Sequence, residues 1–549
     1  MTEVAMPKRV VFVKNKGKTY VYLTKGVHYD NQLKKSLPDR VAIGKQSDSG
    51  NLIPNKKYYE IFGFPLLEQP SRSDTVSVGS KIVVDKIARD LQLKALLESI
   101  FGDITPKLLD IATFMLIDET SAMTRFEDYA WNHCLFNGSI FTDGTISNLF
   151  AKLTTFNIDL FLSAWVKIHC NKKIYIAYDS TNMNSTASNL ELIEYGKAKD
   201  NSDLPQVNVS IGYNQTDSRP LFYEIYPGSI IDNSECEKMV ERAQRYGCKD
   251  VAFVLDRGYF SINNIRFFES KKYDYILMTK GSSRFLKDVM KNYAATLRVN
   301  NSYFISKYEL YGMTKEINLF GTDSSQYVHI FYDGINGEKQ RIEINKRYEN
   351  DEKKLEELLG RKITRKEDVT HFSKHYNLSF DDNGFFVRYS RKTKVFEDAI
   401  SSCGFFVIIT STEMSASEAI EIYRNRDAIE KMFRMEKSSL DNYVFRVHSD
   451  QRMEGKMFVT FLALILLTEI RNTISPLYKL HRSDNTVPKV ISTIDHLSVT
   501  KLSDNQYHQR YKLTAAQKRI LKLFGIDENE YKNEVTKIAK ELEQESVAV

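Results

Sequence analysis

Four side chains in one stretch, EIYRNRDAIEKMFRMEK, have the types and the spacing for phosphate chemistry. They are Tyr423, Arg426, Glu430 and Lys437. At about 100° per residue, their offsets place all four on one ridge of a helix, within an arc of roughly 60°. A carboxylate there can hold a metal ion while its cationic and hydroxyl neighbours hold phosphate oxygens. Intrahelical ion pairs on a solvated face would give the same pattern, so the stretch alone leaves both interpretations open.

Two aspartates follow apolar runs that predict strands. Asp179 ends the run KKIYIAYD, and Asp256 follows VAFVL. Asp is also common in the turn after a strand, so neither position is informative alone. Brought together with Glu430, they would repel one another unless a cation neutralised them. Two Mg²⁺ ions about 4 Å apart would do so and would promote phosphoryl transfer, with Mn²⁺ as a substitute.

These residues resemble the motifs of the bacterial insertion-sequence DDE transposases. The signature of that superfamily has the spacing Tyr-x2-Arg-x3-Glu-x6-Lys, which the stretch described above matches. Asp256-Arg257-Gly258-Tyr259 resembles the second-aspartate motif, and YDSTNMN resembles the block around the first aspartate. GKAKDNSDLPQVNVSIGYN and PLFYEIYPGSIIDN are similar to the connecting blocks. The resemblance covers roughly residues 170–475.

The resemblance implies an α/β fold with a ribonuclease-H-like catalytic core. A mostly β insertion would lie between the second Asp and the Glu, with N-terminal DNA-binding and C-terminal helical regions outside the core. In such a core the first and fourth strands are neighbours, so Asp179 and Asp256 would meet at the strand ends. The helix that carries Glu430 would then pack beside them and close the site.

The roles of the site residues follow from the same resemblance. Asp179, Asp256 and Glu430 would be the catalytic metal ligands. The three neighbours of Glu430 in the signature would hold backbone phosphates near the cleaved end: Tyr423, Arg426 and Lys437. Further DNA contacts are expected beside the second aspartate and in the basic N-terminal segment: Arg257, Tyr259, Lys8, Arg9, Lys14, Lys16 and Lys18.

The implied activity is cut-and-paste transposition. The enzyme would bind the inverted-repeat ends of its element as a homodimer, free a 3′-hydroxyl and join it to target DNA. Two alternatives stay open, a domesticated or inactive relative that binds DNA without cutting, and a nuclease of the same fold that never joins strands. Some relatives stack a flipped base on a Trp of the insertion, but Trp131 and Trp165 both precede Asp179. A Tyr, Phe or Met would have to serve here.

The elements that must position these residues divide the chain into six predicted segments. The first is a basic β-rich region with a linker, and the second is helical. The two halves of the core flank the β-rich insertion, and a helical region expected to make the dimer contact follows. Their boundaries are 1–81, 82–168, 169–280, 281–402, 403–475 and 476–549.

The charge of the chain is concentrated at its N-terminus. Among 549 residues with a formal net charge of +6, residues 1–57 hold twelve Lys and Arg against four Asp and Glu. A basic segment of this kind suits a polyanion such as double-stranded DNA, although solvated basic tails are also common.

The remaining composition indicates a cytoplasmic protein without membrane contact. The five cysteines are scattered without a CxxC pair, as is typical of reduced thiols. The start MTEVAMPKRVVF lacks the apolar region of a signal peptide. The apolar run Met457–Leu467 is about half the length of a membrane span and is expected to form a buried helix.

Overall fold

The chain forms two compact units, Met1–Arg72 and Ser73–Val549, in the computed structural model. The boundary lies inside the polar stretch 69–81, which the sequence predicts as a linker. The structure describes the following residues: 4–15, 17–47, 49–62, 73–170, 173–185, 187, 190–196, 204–230, 232–280, 292–297, 299–318, 325–363, 366–440, 444–480, 486–502 and 506–547.

The N-terminal unit is an antiparallel sheet with one short helix. Its described strands pair in sequence order, β1-β2-β3-β4, so each connection is a hairpin. Val21, Ile43 and Leu52 are its fully buried side chains. The elements are β1 (Val10–Asn15), β2 (Lys18–Asp30), β3 (Lys35–Gln46), β4 (Leu52–Pro54) and α1 (Lys56–Phe62).

The main unit is built on one large mixed sheet. Its nine described strands have the order β11-β12-β13-β16-β10-β9-β6-β7-β8. Their bounds are β6 (Ile174–Asn184), β7 (Gln206–Asn214), β8 (Arg219–Pro227), β9 (Val251–Leu255), β10 (Asp274–Met278), β11 (Phe304–Ile305), β12 (Leu310–Ile317), β13 (Gln326–Tyr332) and β16 (Phe405–Thr410).

Helices surround this sheet and bury its apolar residues in one core that runs from Val76 to Leu542. Those before the sheet are α2 (Gly79–Asp90), α3 (Leu93–Phe101), α4 (Thr105–Ile117), α5 (Phe126–Asn132), α6 (Asp143–Lys152) and α7 (Thr155–His169). Those within and after it are α8 (Asp232–Arg245), α9 (Ile262–Lys271), α10 (Gly334–Leu358), α11 (Lys366–Ser373), α12 (Thr393–Ser401), α13 (Ala416–Arg424), α14 (Asp427–Leu440), α15 (Asp450–Leu480), α16 (Val487–Asp495), α17 (Ala515–Leu523) and α18 (Glu528–Val547).

The predicted apolar helix is the central helix α15. Among the described residues, Asp450–Leu477 is long and apolar enough to cross a membrane by length and composition. However, 78% of its most apolar window is buried inside the protein. It packs against α4, α6 and β8, as a core helix does.

The strands that lead to the two aspartates are neighbours, as the predicted core requires. β6 and β9 pair in parallel, with Tyr178 opposite Leu255. All five residues of β9 are buried, which explains the apolar run VAFVL. One detail differs from the sequence interpretation, because β6 does not end at Asp179 but continues to Asn184 along β7.

The predicted mostly β insertion is wrong for the residues that the structure describes. β11, β12 and β13 join the large sheet instead of forming a separate domain. The segment that follows contains the 25-residue helix α10, which carries the highly charged sequence YENDEKKLEEL. Together with α11, α12 and the hairpin β14 (Tyr376–Phe380) and β15 (Phe386–Arg391), it forms a mixed α/β structure. Tyr348, Phe372 and Phe386 belong to its small core.

The predicted linker and the C-terminal region also contain strands. β5 (Thr75–Ser77) pairs with β17 (Ser498–Lys501), which pairs with β18 (Tyr507–Gln509). This small sheet joins the beginning of the main unit to its C-terminal part. Three-residue strands are too short for a periodic pattern, so the sequence did not indicate them.

Candidate active site at two parallel strands

Asp179 and Asp256 lie side by side, because each directly follows a residue of the last pair between β6 and β9, Tyr178 opposite Leu255. The carboxylate of Asp179 accepts a hydrogen bond from the N–H of Ser180, at 2.9 Å. Asp256 begins the short turn Arg257–Tyr259 and accepts from the N–H of Arg257, at 2.7 Å. Both side chains keep part of their surface exposed. The two carboxylates therefore face the same solvent-accessible edge of the sheet.

The signature stretch is not one continuous helix, because a short turn separates two helices over its described residues. α13 begins with a capping box of Ser415 and Glu418 and ends at Arg424. After it, the N–H of Ala428 and the N–H of Ile429 bond to carbonyls three residues earlier instead of four. Arg426 lies in this tightened turn, and Glu430 lies in the first turn of α14.

The side chain of Gln215 holds this turn from the side of the sheet. With its amide oriented to satisfy both of its polar ends, its nitrogen donates to the carbonyl of Ile422, at 3.3 Å. Its oxygen accepts from the N–H of Arg426, at 3.0 Å. Gln215 follows a predicted strand and carries no motif, so the sequence gave no sign of this role.

Arg426 turns inward and lies among the three acids. Its Nη2 is 2.6 Å from Glu430 Oε1 and 3.9 Å from Asp256 Oδ1, and its Nη1 is 3.7 Å from Asp179 Oδ2. The residue is only 8% exposed. Its Nε–H is buried without a hydrogen-bond partner in the described part of the chain. The guanidinium is therefore held mainly by the charges of the carboxylates.

Tyr423 also contacts the acids. Its hydroxyl lies 3.3 Å from Asp256 Oδ1 and 3.5 Å from the sulfur of Met278. Burial raises the pKa of Tyr423 well above its ordinary value, and the charge of Asp256 raises it further, against the opposite effect of Arg426. The phenol is therefore neutral and able to donate a hydrogen bond.

The charge of Arg426 is secured by its neighbours. Burial alone would lower the pKa of Arg426, but Tyr423 and the three carboxylates together raise it above its ordinary value. The site thus contains three acids and one permanent cation in contact. This arrangement lets the carboxylates converge without the full cost of their repulsion.

The donor set suits a hard divalent cation, although its present geometry is not that of a metal site. Carboxylate oxygens are the ligands that Mg²⁺ and Mn²⁺ prefer. Over the described ranges, no three His, Cys, Asp or Glu side chains are placed to hold a metal ion together. Arg426 supplies the positive charge among the three acids instead.

The other predicted DNA contacts fall in three groups. Arg257 is exposed beside Asp256, whereas Tyr259 is 1% exposed and packs edge-on against Tyr178. This burial contradicts the predicted DNA contact of Tyr259, since its ring completes the core. The exposed N-terminal predictions are Lys8, Arg9, Lys14 and Lys18. Lys16 and the side chain of Lys437 lie outside the described residues.

A cavity of about 500 Å³ adjoins the site on the side of Tyr423. Arg257 and Arg424 give it positive charge, and Phe406 gives it an aromatic wall. Arg424 also lies over the ring of Tyr308, with its guanidinium carbon 4.7 Å from the ring centre. The sequence did not single out Arg424, because it lies between two signature residues without matching the signature.

Comparison with known protein families finds a match over more than half of the chain. The family model described as Transposase DDE domain matches residues 171–466. No curated protein sequence matches the chain. One similar solved structure is the cryo-EM structure of the piggyBac transposase synaptic complex with hairpin DNA, at a TM-score of 0.33 and 6% identity. The match covers 72% of this chain and 64% of that one, a likeness too slight to inform function.

Proposed function

This chain belongs to the family of transposase DDE domains, and we propose that it is a DNA transposase that binds the inverted-repeat ends of its own insertion sequence. It would cleave these ends and join them to target DNA in a cut-and-paste reaction, as a homodimer in the bacterial cytoplasm. The observation that carries the proposal is the convergence of Asp179, Asp256 and Glu430 on one guanidinium.

The strand order supports a ribonuclease-H-like core. Starting from β6, the first, second and third strands run outward as β6-β7-β8, and β9 and β10 lie on the other side of β6. β7 is antiparallel to both of its neighbours, and β6, β9 and β10 are parallel. Asp179 on β6 and Asp256 directly after β9 therefore lie beside each other, which supports the proposed chemistry.

Asp179, Asp256 and Glu430 are the residues that would hold Mg²⁺, with Mn²⁺ as a substitute. When bound, the metal would polarise a phosphate and lower the pKa of an attacking water or 3′-hydroxyl. Arg426 would hold a phosphate oxygen through a guanidinium that the site keeps charged, and Tyr423 would donate a hydrogen bond from its neutral phenol. Both side chains already lie against the acids, so a phosphate bound to them would be next to the carboxylates.

Glu430→Gln is the variant that tests this proposal. The amide keeps the size of the side chain but removes its charge, so metal-dependent cleavage should fall at least about 100-fold. Binding to the inverted-repeat ends should be unchanged, because affinity for DNA comes mainly from cationic side chains and Glu430 is a carboxylate. The substrate is a supercoiled plasmid that carries the reading frame with its flanking inverted repeats, incubated in Mg²⁺ or in EDTA.

Glu421→Gln provides a matched control. Glu421 is an exposed acid of α13 that pairs with Lys307 at 2.9 Å and does not contact the candidate site. Its loss should leave cleavage and joining unchanged. Cleavage by the wild type without joining would favour the nuclease, and end binding without metal-dependent cleavage would favour the inactive relative. Normal cleavage by Glu430→Gln would show that the proposed site is wrong.

A further inference from the structure

Strands β2 and β3 of the N-terminal unit extend beyond their sheet as a two-stranded ribbon. β1 accompanies β2 only as far as Leu23, and β4 pairs with β3 only over Gly44–Gln46. Between these limits β2 and β3 pair with each other alone, from Gly26 opposite Asp39 to Asp30 opposite Lys35. We call residues 24–40 the β2–β3 ribbon. The five residues of β2 from Gly26 to Asp30 give it a reach of about 17 Å, at about 3.4 Å per residue.

The ribbon has no hydrophobic core of its own. The core of the unit lies around Val21, Ile43 and Leu52, at the other end of the sheet. Three large apolar side chains of the ribbon are instead exposed: Val27 at 66%, Tyr29 at 61% and Leu33 at 57%. A bare two-stranded hairpin is only marginally stable in water, so apolar side chains displayed along it indicate a contact surface.

The charge of the ribbon favours a polyanion as the partner. Lys25 and Arg40 are exposed at its base, and Lys34 and Lys35 are exposed at its tip. None of the four forms an ion pair with another residue that the structure describes. The carboxylate of Asp30 is already used in the tip, where it accepts from the N–H groups of Gln32 and Leu33. Basic side chains are therefore available at both ends of the ribbon.

We propose that the β2–β3 ribbon enters the major groove of the duplex at the ends of the insertion sequence. The inference rests on the proposed function, and it assigns end recognition to a surface distinct from Lys8, Arg9, Lys14 and Lys18. The major groove is about 12 Å wide and admits a two-stranded ribbon. Lysines at the tip and at the base of the ribbon are spaced to contact phosphates on the two walls of the groove.

The middle of the ribbon carries the side chains that would contact base edges. Tyr29 has a hydroxyl that can donate a hydrogen bond to a base edge or accept one from it. The neighbouring Val27 offers an apolar contact to a thymine methyl group, which is exposed in the major groove. The same face of a ribbon bears Val27 and Tyr29, because side chains of a strand alternate.

Dimethyl sulfate footprinting of the full-length protein on the inverted-repeat plasmid tests this proposal. The reagent modifies guanine N7 in the major groove and adenine N3 in the minor groove. A ribbon in the major groove should protect guanine N7 over a short stretch of each end and leave adenine N3 reactive. Tyr29→Ala should abolish this protection and lower the preference for end DNA over unrelated DNA by about tenfold.

Two matched charge variants separate the ribbon from general attraction. Lys34→Gln with Lys35→Gln removes two charges at the tip and should remove the footprint. Lys56→Gln with Lys57→Gln removes two exposed charges from α1 in the same unit and should keep the footprint, with a small loss of overall affinity.

The outcomes distinguish this inference from the proposed function. If the wild type cleaves and joins the ends while the ribbon variants keep the N7 footprint, the ribbon proposal is overturned and the function stands. If the wild type does not bind the inverted repeats, or binds them and neither cleaves nor joins them, the function itself fails. If the ribbon variants keep the footprint but sediment as monomers where the wild type is a dimer, the partner is a second copy of this chain.

Discussion

The guanidinium of Arg426 lies within 2.6–3.9 Å of one oxygen from each of the three acids. Three carboxylates that converge on one edge of a sheet need a positive charge to offset their repulsion. The buried guanidinium of Arg426 provides this charge. The acids in turn make its burial possible, because burying a cation without a partner would destabilise the folded state. Arg426 therefore stabilises the site as well as contributing to the proposed phosphate contact.

Removing this cation should make the stability of the main unit depend on divalent metal. In EDTA, Arg426→Ala should lower the thermal midpoint by roughly 2–4 °C, because the carboxylates then repel one another. Millimolar Mg²⁺ should restore most of that loss by taking over the positive charge. Differential scanning fluorimetry with and without Mg²⁺ measures both values.

The matched control is Arg424→Ala, which removes an Arg two residues away that contacts the ring of Tyr308 and no carboxylate of the site. Its midpoint should be insensitive to Mg²⁺ beyond the response of the wild type. If Arg426→Ala lowered the thermal midpoint equally in EDTA and in Mg²⁺, Arg426 would not be the charge that offsets the repulsion between the carboxylates.

His329 is a second residue whose charge the fold controls. It lies fully buried on β13, with Thr314 Oγ1 2.9 Å from its Nδ1 and Thr410 Oγ1 3.0 Å from its Nε2. Burial lowers the pKa of His329 from 6.5 to about 4. In the unfolded chain the imidazole of His329 is protonated below about pH 6.5. In the folded protein it stays neutral down to about pH 4. The contribution of His329 to stability is therefore complete above pH 6.5 and is lost as the pH falls through this window.

Acid sensitivity should decrease when His329 is replaced. Between pH 7.5 and 5, His329 should account for a loss of about 2 kcal/mol in the free energy of unfolding. His329→Gln can keep both hydrogen bonds but does not titrate, so its loss over the same interval should be smaller by about that amount. Urea unfolding followed by circular dichroism at the two pH values gives the difference. If His329→Gln lost as much free energy of unfolding as the wild type, His329 would not be the group that makes the protein sensitive to acid.

At the scale of elements, a short turn between α13 and α14 interrupts the signature stretch. A continuous helix would place Tyr423, Arg426 and Glu430 along one stripe. The tightened turn, held by Gln215, keeps Arg426 in contact with Glu430. The same guanidinium also lies near Asp179 and Asp256. The capping box at Ser415 fixes where α13 begins, so the position of the turn follows from that start and from the contact with Gln215.

The central helix α15 approaches α6 through a glycine. A Cβ added at Gly455 would lie 2.3 Å from the carbonyl oxygen of Phe150 and 2.8 Å from its Cα, so the backbone of one helix would have to move. Gly455→Ala should therefore destabilise the main unit by about 1–3 kcal/mol, despite the better helix propensity of Ala. Thermal unfolding of the variant measures the effect.

Gly144→Ala in α6 is the control for this substitution. A Cβ at Gly144 would meet only the Thr142 hydroxyl, at 3.7 Å, which is an ordinary contact. The same change of residue should there be neutral or slightly stabilising. A similar loss at both positions would argue against a close approach of the two helices.

At the scale of the whole molecule, the two units have separate cores of very different size. The core of the main unit extends from Val76 to Leu542, whereas the N-terminal unit has three fully buried apolar side chains among its described residues. A small domain with so little buried surface is only marginally stable. Binding to DNA would stabilise it, because a ligand that binds only the folded state shifts the folding equilibrium.

The main unit should therefore fold without the N-terminal unit. A chain of residues 73–549 keeps β5 and its pairing with β17, so its thermal midpoint should match that of the main transition of the full-length protein. Residues 1–72 alone should melt at a lower temperature, and duplex DNA with the inverted repeats should raise that temperature. Circular dichroism melts of the two fragments test both statements. A main unit that aggregates or melts early would show that the cores depend on each other.

Much of the site could be predicted from local sequence. The apolar runs before Asp179 and Asp256 predicted the strands that lead to them. The spacing Ser415-x2-Glu418 is typical of a helix start, which is where α13 begins. Each of these inferences rests on a pattern within some ten residues. The sequence by itself thus determined the acids, the elements that carry them and the family.

The tertiary structure alone decided how these parts meet. Tyr259 matched a motif but is buried against Tyr178, and β11–β13 extend the large sheet instead of forming an insertion of their own. The helical period places Arg426 beside Glu430, but the side chain that bonds to its turn is Gln215, more than two hundred residues earlier in the chain. The cation beside the three carboxylates is Arg426, because the fold buries it there and brings remote segments within a few ångströms. A local sequence pattern contains no information on burial or on such distances.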